Sequence, residues 1–459
     1  MLRRKVEADL LRWKRNPRRH PLLVRGARQV GKTFSIDRFA RANYENYVYI
    51  NFERDVSHRE IFRGDLDVDT LIREISSRFI GKRLEPGSTV IVLDEIQSCP
   101  GARTSLKSFS EDGRFDVIAT GSLLGVNFRE VSSYPVGHEE YLDMYPLDFE
   151  EFLWALGAGD AAISRISRDL NAREPLDPHV LSAFEGYHSW HSIVGGMPEA
   201  VAEFVASNNF GNVLRIQRRI MAGYLADIAK YAEAPDKSRA QACLRSIPEQ
   251  MGARFRYSDV ESRKNAGART YERGIDWIVD AGMAHRCRNV TEPSLPLEFN
   301  ARYDAFKLYL RDTGLLVSMM EEDSIPELLK GNALVNGGRV AENLVAGEIG
   351  SKGIPLMYFE KKGRLEVDFV ANIGGQVAAI EVKSGNNRQS KSLASVMSER
   401  YGVPRGIKLE RTNVYVDDKG VEHYPLFAAS FIFPDRSPFR EASEVRRLPF
   451  PSDGDPGAG

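Results

Sequence analysis

The sequence predicts an α/β protein: a parallel sheet with crossover helices, a helical stretch after it, a helix-turn-helix with two strands, and a second α/β region. Three observations carry this. The octamer Gly26-Ala27-Arg28-Gln29-Val30-Gly31-Lys32-Thr33 follows the run Pro21-Leu22-Leu23-Val24 and opens a helical stretch. The run Thr89-Val90-Ile91-Val92-Leu93 reads as a strand covered on both faces and ends in Asp94-Glu95. Far downstream, Leu365-Glu366-Val367-Asp368-Phe369-Val370 and Val377-Ala378-Ala379-Ile380-Glu381-Val382-Lys383 flank Gly374-Gly375, as two strands of a hairpin do.

The octamer matches G-x-x-x-x-G-K-T. Its glycines let successive backbone N–H groups turn inward as an anion nest at a helix N-terminus, and a lysine ammonium reaches the outer phosphates of a nucleotide. Gly26, Ala27, Arg28, Gln29, Val30, Gly31, Lys32, Thr33 and the following Phe34 are therefore expected against ATP, with Thr33 holding Mg²⁺. Tyr47-Val48-Tyr49-Ile50-Asn51-Phe52 alternates as a second strand and ends in Glu53. At the end of the third, Asp94 is placed to hold Mg²⁺ and Glu95 to orient and deprotonate the attacking water. A fourth strand, Phe115-Asp116-Val117-Ile118-Ala119-Thr120, leads into Gly121-Ser122, so that Thr120 or Ser122 can sense the terminal phosphate. Strands alternating with helices imply a parallel sheet with its ligand at the carboxyl ends of the strands.

Bulk properties narrow the class. A chain of 459 residues is too long for one ordinary core and predicts two to four domains. The 63 basic and 64 acidic residues leave a net charge of −1, so a nucleic acid must be met by a local patch. Cys99, Cys243 and Cys287 are far apart, which argues against a disulfide framework or a zinc site and fits a reducing cytoplasm. The arginine-rich first residues, Met1 to Arg19, include Glu7 and Asp9, against a transit peptide. Val6, Leu10, Leu11 and Trp13 fall near helical spacing, as on an amphipathic helix packed against the core. No run approaches the roughly 18 to 20 apolar residues of a membrane span.

Residues 156–235 carry helical patterning. A helix over 238–251, a short segment at 254–258 and a helix over 268–280 outline a helix-turn-helix, and strand-like runs at 284–290 and 306–310 make it a winged helix. Arg263, Lys264, Arg269 and Arg273 would there meet DNA phosphates, or else mark a solvated face of a spacer.

In the last part, Glu342 lies on a helical stretch, and the two strands around Gly374-Gly375 give the order E…D…E-x-K. Residues two apart on a strand share a face, so Glu381 and Lys383 stand together with Asp368 approaching from the neighbouring strand. Glu342, Asp368 and Glu381 would supply oxygen ligands for Mg²⁺ or Mn²⁺, and Lys383 would position a water for attack on a phosphodiester. An isolated E-x-K arises about once by chance in such a chain; the hairpin and Glu342 add the context. The competing reading is a retained fold whose carboxylates and lysine are ion pairs.

The stretch Val24 through Thr33, together with Leu93-Asp94-Glu95-Ile96-Gln97 and Thr120-Gly121-Ser122, resembles the prokaryotic AAA-type ATPases with a C-terminal domain of unknown function 4143. So do Met144 through Leu153, Gly195-Gly196-Met197-Pro198-Glu199-Ala200, Tyr224-Leu225-Ala226-Asp227-Ile228 and Phe306 through Leu315. The C-terminal pattern resembles the PD-(D/E)xK restriction-endonuclease-like core. The resemblance implies a P-loop NTPase core over residues 1–155, a helical lid over 156–235, a winged helix over 236–325, a nuclease-like α/β domain over 326–447 and a disordered tail over 448–459. Gly137-His138 departs from the family pattern, which often has Lys or Arg after the glycine. The function expected is ATP hydrolysis coupled to DNA binding or metal-dependent DNA processing, with a homo-oligomer allowed. The alternative is a nucleotide-dependent switch or remodeller whose C-terminal fold binds a partner without cutting it. Arg28, Arg103 and Arg114 are open candidates for an arginine finger.

Overall fold

The computed structural model describes residues 2–121, 137–232, 234–261, 267–322, 325–329, 338–361, 365–384 and 391–436. Ser122, Arg263, Lys264, the side chain of Arg269 and the tail 448–459 fall outside them.

The first helix, α1 (Val6–Arg15), buries Val6, Leu10 and Trp13. Next come β1 (Leu22–Arg25), α2 (Lys32–Asn43), β2 (Asn46–Asn51), α3 (Val68–Arg78), β3 (Thr89–Asp94), α4 (Pro100–Asp112), β4 (Asp116–Gly121) and β5 (Glu140–Asp143). The five strands form one parallel sheet in the order β2-β3-β4-β1-β5. This is a P-loop NTPase sheet. Every residue of β3 is buried because helices cover both faces. Val90, Val92 and Ile118 join the core beneath α1 and α2. Ile91, Leu93 and Val117 face the other way, onto Leu71 and Ile75 of α3 and Leu106 and Phe109 of α4. Register then fixes the ligand edge: Asn51 lies beside Asp94, Asp94 beside Thr120, and Thr120 beside Val24.

Helices follow: α5 (Phe149–Ala155), α6 (Asp160–Asn171), α7 (Pro178–Val194), α8 (Pro198–Ser207) and α9 (Phe210–Tyr231). Asp148 caps α5 through a reciprocal bond with Glu151, which satisfies two backbone donors at the helix start. Then come α10 (Ala234–Gln250) and α11 (Ala268–Asp280), followed by β6 (Ala284–Val290) and β7 (Ala301–Leu310), an antiparallel pair.

The chain continues through α12 (Thr313–Ser318), α13 (Ile325–Leu329), α14 (Arg339–Ser351), β8 (Met357–Lys361), β9 (Leu365–Val367), β10 (Phe369–Ile373), β11 (Gln376–Val382), α15 (Lys391–Met397), β12 (Arg405–Glu410), β13 (Tyr415–Val416), β14 (Val421–Pro425) and α16 (Ala429–Ile432). Residues 365–370 are not the single strand that the pattern suggests. The chain leaves one sheet at Asp368 and enters another: β9 pairs with β8 in the order β7-β6-β8-β9, whereas β10 joins β10-β11-β12-β14-β13. Val367 and Phe369, two residues apart, are buried in different cores, which fits a backbone that turns between two packed sheets and not one flat ribbon. Because β6 pairs in parallel with β8, the boundary expected at 325/326 separates residues that share a sheet. Among the described residues no helix is long and apolar enough to cross a membrane.

Candidate functional site

The phosphate loop joins β1 to α2. Gly26 has φ +150°, and a Cβ there would lie 2.2 Å from the Met144 carbonyl oxygen, so the close passage of the chain after β5 requires glycine. Gly31, at φ +93°, turns the chain into α2. The side chains of Ala27 and Val30 are buried, leaving their backbone groups as what they can offer a ligand. Phe34 is half exposed on the first turn of α2. Lys32 Nζ donates to the carbonyls of Gly26 and Ala27, both at 2.8 Å. Burial pulls its pKa down to about 8, against the opposing pull of Glu95 and Asp94.

Thr33 Oγ1 donates to Asp94 Oδ2 at 3.2 Å. The same oxygen accepts from Asn51 Nδ2 at 3.0 Å and from the Tyr49 hydroxyl. Glu95 is held in the left-handed region at φ +54° and accepts from Gln97 Nε2 at 2.5 Å. Thr120 is fully buried, and its Oγ1 has no hydrogen-bond partner among the described residues. An ammonium resting on its own loop, a helix N-terminus and an orphaned hydroxyl at the same sheet edge form a donor set that fits a nucleotide polyphosphate.

Sequence reasoning missed the supports of this loop. Arg4 is buried and donates from Nη1 to the Val30 carbonyl at 2.9 Å, from Nη2 to the Tyr145 carbonyl at 2.7 Å and from Nε to Glu151 at 3.1 Å. Arg28 reaches Asp227 of α9 at 2.5 Å and Glu53 at 3.3 Å, while the Tyr224 hydroxyl donates to the Arg28 carbonyl at 3.3 Å.

In the C-terminal part, Lys383 Nζ lies 3.0 Å from Glu381, as the spacing requires, and Asp368 accepts from the Val382 N–H at 2.8 Å. Lys307, fully buried on β7, enters the cluster: its ammonium is 3.2 Å from Glu342 and 2.7 Å from Glu366. The Tyr309 hydroxyl also donates to Glu342. Burial opposes the Lys307 charge, but Glu342, Asp368 and Glu366 together hold its pKa above the usual lysine range. Asp368 is pushed up to about 7 by burial and then by Glu342, with Lys307 and Lys383 acting against the shift. Among the described residues no group of three His, Cys, Asp or Glu side chains is gathered to hold a metal ion. Of the expected trio Glu342, Asp368 and Glu381, Glu342 thus pairs with the internal ammonium of Lys307, and Glu381 with Lys383. Glu381 Oε2 is buried without a hydrogen-bond partner, so one carboxylate oxygen is left over.

A family model described as an AAA domain matches residues 18–153, and one described as domain of unknown function 4143 matches residues 337–426. The chain carries an AAA domain and, towards its C-terminus, a domain of unknown function 4143. Between them, a model described as domain of unknown function 8612 matches residues 189–325. No curated protein matches the chain. Solved structures similar to it include a Walker-type ATPase of Pyrococcus abyssi, at 15% identity over 70% of this chain and 96% of that one, TM-score 0.41. Others are the ORC1 protein of Aeropyrum pernix in complex with DNA, at 15% over 73% and 94%, TM-score 0.28, and AMPPCP-bound DnaA of Aquifex aeolicus, at 12% over 60% and 86%, TM-score 0.26.

The arginines sort by position in this ATPase. Arg103 is buried in a pair with Glu139, and Arg114 is bound to Asp112 and Asp69 just before β4, at the end of the sheet away from the loop. Arg28 lies on the phosphate loop itself. His138 meets Ser110 and His20 beside the start of β1, also at the far end, so the departure at Gly137-His138 does not touch the phosphate loop.

Proposed function

We propose that the protein hydrolyses Mg²⁺-ATP and couples the nucleotide state to binding of DNA. The observation that carries the first half is the Thr33–Asp94 hydrogen bond of 3.2 Å beside Lys32, at the carboxyl ends of the parallel strands. Lys32 leaves the carbonyls of Gly26 and Ala27 for the outer phosphates. Thr33 and Asp94 hold Mg²⁺, which when bound supplies positive charge to the phosphate oxygens. Glu95 orients the attacking water and accepts its proton, and Thr120 bonds the terminal phosphate.

The DNA half is supported by the surface of α10, α11 and the β6–β7 hairpin. Arg254, Arg256, Arg273 and Arg302 are exposed there, and Tyr303 is exposed beneath the Arg288 guanidinium, 4.8 Å from its ring centre. Arginines interleaved with open aromatic rings suit phosphates and unstacked bases. For the C-terminal cluster, the neutralising Lys307 favours a fold that binds a partner without cleaving it. The second reading, Mg²⁺- or Mn²⁺-dependent DNA cleavage through Asp368, Glu381 and Lys383, is supported by the carboxylate oxygen that Glu381 leaves over.

One experiment separates these. Hydrolysis and DNA anisotropy are measured for the wild type, Lys32→Ala and Glu95→Gln, with cleavage assays on the wild type and Asp368→Ala. Lys32→Ala is expected to lose ATP binding, and Glu95→Gln to bind ATP while turning over at least a hundredfold more slowly. ATP should shift the DNA affinity of the wild type. Ordinary turnover by Glu95→Gln removes the role given to Glu95, and metal-dependent cleavage lost in Asp368→Ala establishes the second reading.

A further inference from the structure

The Asp94 carboxylate is 3% exposed, and its neighbours leave it little freedom. Oδ1 accepts from the Glu95 N–H at 3.1 Å. Oδ2 accepts from Thr33 and also from two side chains of the adjoining strand β2, Asn51 at 3.0 Å and the Tyr49 hydroxyl. The sheet explains how both reach it. Asn51 lies opposite Asp94 and Tyr49 opposite Val92, and residues two apart on a strand share a face, so Tyr49 stands one pair back and reaches diagonally towards the strand end. Val48 and Ile50 point to the opposite face, into the core with α3 and α4, while the Tyr49 ring packs against the core on the side of α2. Asn51 is itself fixed. Its Oδ1 accepts from the Glu53 N–H at 3.0 Å and the Arg54 N–H at 2.8 Å, which leaves Nδ2 to face the site.

Nδ2 of Asn51 also donates to the Tyr49 oxygen at 3.3 Å, so the phenol accepts one hydrogen and donates its own to Asp94. Hydrogen bonds in such a chain polarise one another, and a phenol donating to a carboxylate is among the stronger kinds. The ring alone would fill this place against the core; the hydroxyl adds a bond to the carboxylate assigned to the metal. We propose that Tyr49 is a positioning residue for Mg²⁺: its hydroxyl holds the Asp94 carboxylate in the orientation that serves the metal beside Thr33. The inference rests on the assignment of Thr33 and Asp94 as the groups that hold Mg²⁺. Tyr49 acts through Asp94. Partners of this kind orient a metal-holding carboxylate, and their loss lowers metal affinity about 10- to 100-fold. Asn51 still bonds Asp94 when the hydroxyl is removed, so the lower end of that range is expected.

The test is titration of a fluorescent ATP analogue into the full-length wild type, Tyr49→Phe and Tyr47→Phe, each in EDTA and in Mg²⁺. Tyr47 is the control: it lies on the same strand face, but its hydroxyl donates to Asp37 of α2 at 2.5 Å. In EDTA the three proteins should bind alike, because the phosphate loop is untouched. Mg²⁺ should tighten binding by the wild type and Tyr47→Phe equally, and by Tyr49→Phe about tenfold less. Hydrolysis should follow: Tyr49→Phe needs about tenfold more Mg²⁺ for its half-maximal rate and approaches the wild-type kcat at saturation. A wild-type Mg²⁺ effect in Tyr49→Phe overturns the proposal. So does a loss of affinity as large in EDTA as in Mg²⁺, which would place the role of Tyr49 in the loop or the fold; the phenylalanine ring keeps the packing. If Mg²⁺ tightens binding by none of the three, the assignment of Thr33 and Asp94 fails first, and this proposal with it.

Discussion

Arg4 uses all three nitrogens of its guanidinium to hold the frame of the phosphate loop: the Val30 carbonyl, the Tyr145 carbonyl and the Glu151 carboxylate. Its removal leaves Glu151 as a buried charge without this partner, for which breaking a buried pair costs about 3 to 5 kcal/mol. Arg4→Lys keeps the charge but not the three-way geometry, and is expected to weaken ATP binding about tenfold, read with a fluorescent ATP analogue; an unchanged Kd would show that the brace does not shape the loop. A second residue-scale expectation concerns acid. His188 and His191 are buried against Phe149 and Phe152. Burial, with His191 and Arg411 adding to it, depresses His188 to about 3; burial depresses His191 to about 4 against the pull of the Leu147 carbonyl and Asp148. The unfolded chain takes up protons on these rings near pH 6.5 and the folded chain does not, so their stabilisation is complete above that pH and is lost as pH falls. At pH 5 the loss is about 1 to 2 kcal/mol per ring. Glu348, raised by burial, acts in the opposite sense over the same range, so the informative quantity is a difference. The midpoint of His188→Leu should fall less than that of the wild type between pH 7 and pH 5; parallel curves would show that His188 is not held neutral.

Helix α9 is tied to the nucleotide edge by the Arg28–Asp227 bond, between residues 199 positions apart. The loop, the Asp94-Glu95 strand and the glycine hairpin were legible in the sequence because each is a contiguous pattern whose chemistry depends on neighbouring residues. Arg4 carried no such signal, and Asp227 and Lys307 stood in recognisable blocks that gave no sign of their partners: a single charged residue on a helix or strand looks alike whether it is solvated or buried against a partner brought in by tertiary packing. The same limit applied to the blocks Gly195-Gly196-Met197-Pro198 and Arg311-Asp312-Thr313-Gly314, visible as patterns but not as one joint. In the fold, Asp312 accepts from the Gly196 N–H at 2.6 Å and caps α12 through the Leu315 N–H at 2.8 Å. A Cβ on Gly196 would lie 2.0 Å from the Leu147 carbonyl oxygen. At α9 a phosphate arriving at the loop competes with Asp227 for Arg28, which gives nucleotide binding a route to the helix. Amide hydrogen exchange across α9 should therefore differ between the nucleotide-free protein and its complex with a non-hydrolysable analogue. In Asp227→Asn, which keeps the size and removes the charge, that difference should shrink severalfold; a difference of wild-type size would exclude the clamp as the route.

Across the whole molecule, the part formed by α10, α11, β6 and β7 and the C-terminal part are joined by sheet and by charge. Strand β6 lies between β7 and β8, with Arg288, Asn289 and Val290 in register with Met357, Tyr358 and Phe359. Val290 shares a core with Met357, Phe359, Val367 and Val370, so the hairpin that comes first in sequence completes a core built mostly by strands β8 to β11. Lys307 crosses the same seam to Glu342 of α14 and Glu366 of β9. A chain cut at 325 would expose one edge of β6, open that core to water and leave Lys307 buried without either carboxylate. Unpaired strand edges, apolar exposure and a lone ammonium all oppose folding of the isolated piece. Residues 236–325 expressed alone are accordingly expected to show no cooperative thermal transition by circular dichroism, whereas 236–436 should show one, because the shared sheet makes the two parts a single cooperative unit. Cooperative melting of the shorter piece would mean that residues 236–325 are an autonomous domain, and the parallel pairing of β6 with β8 would then be a docking contact that nucleotide binding could open and close.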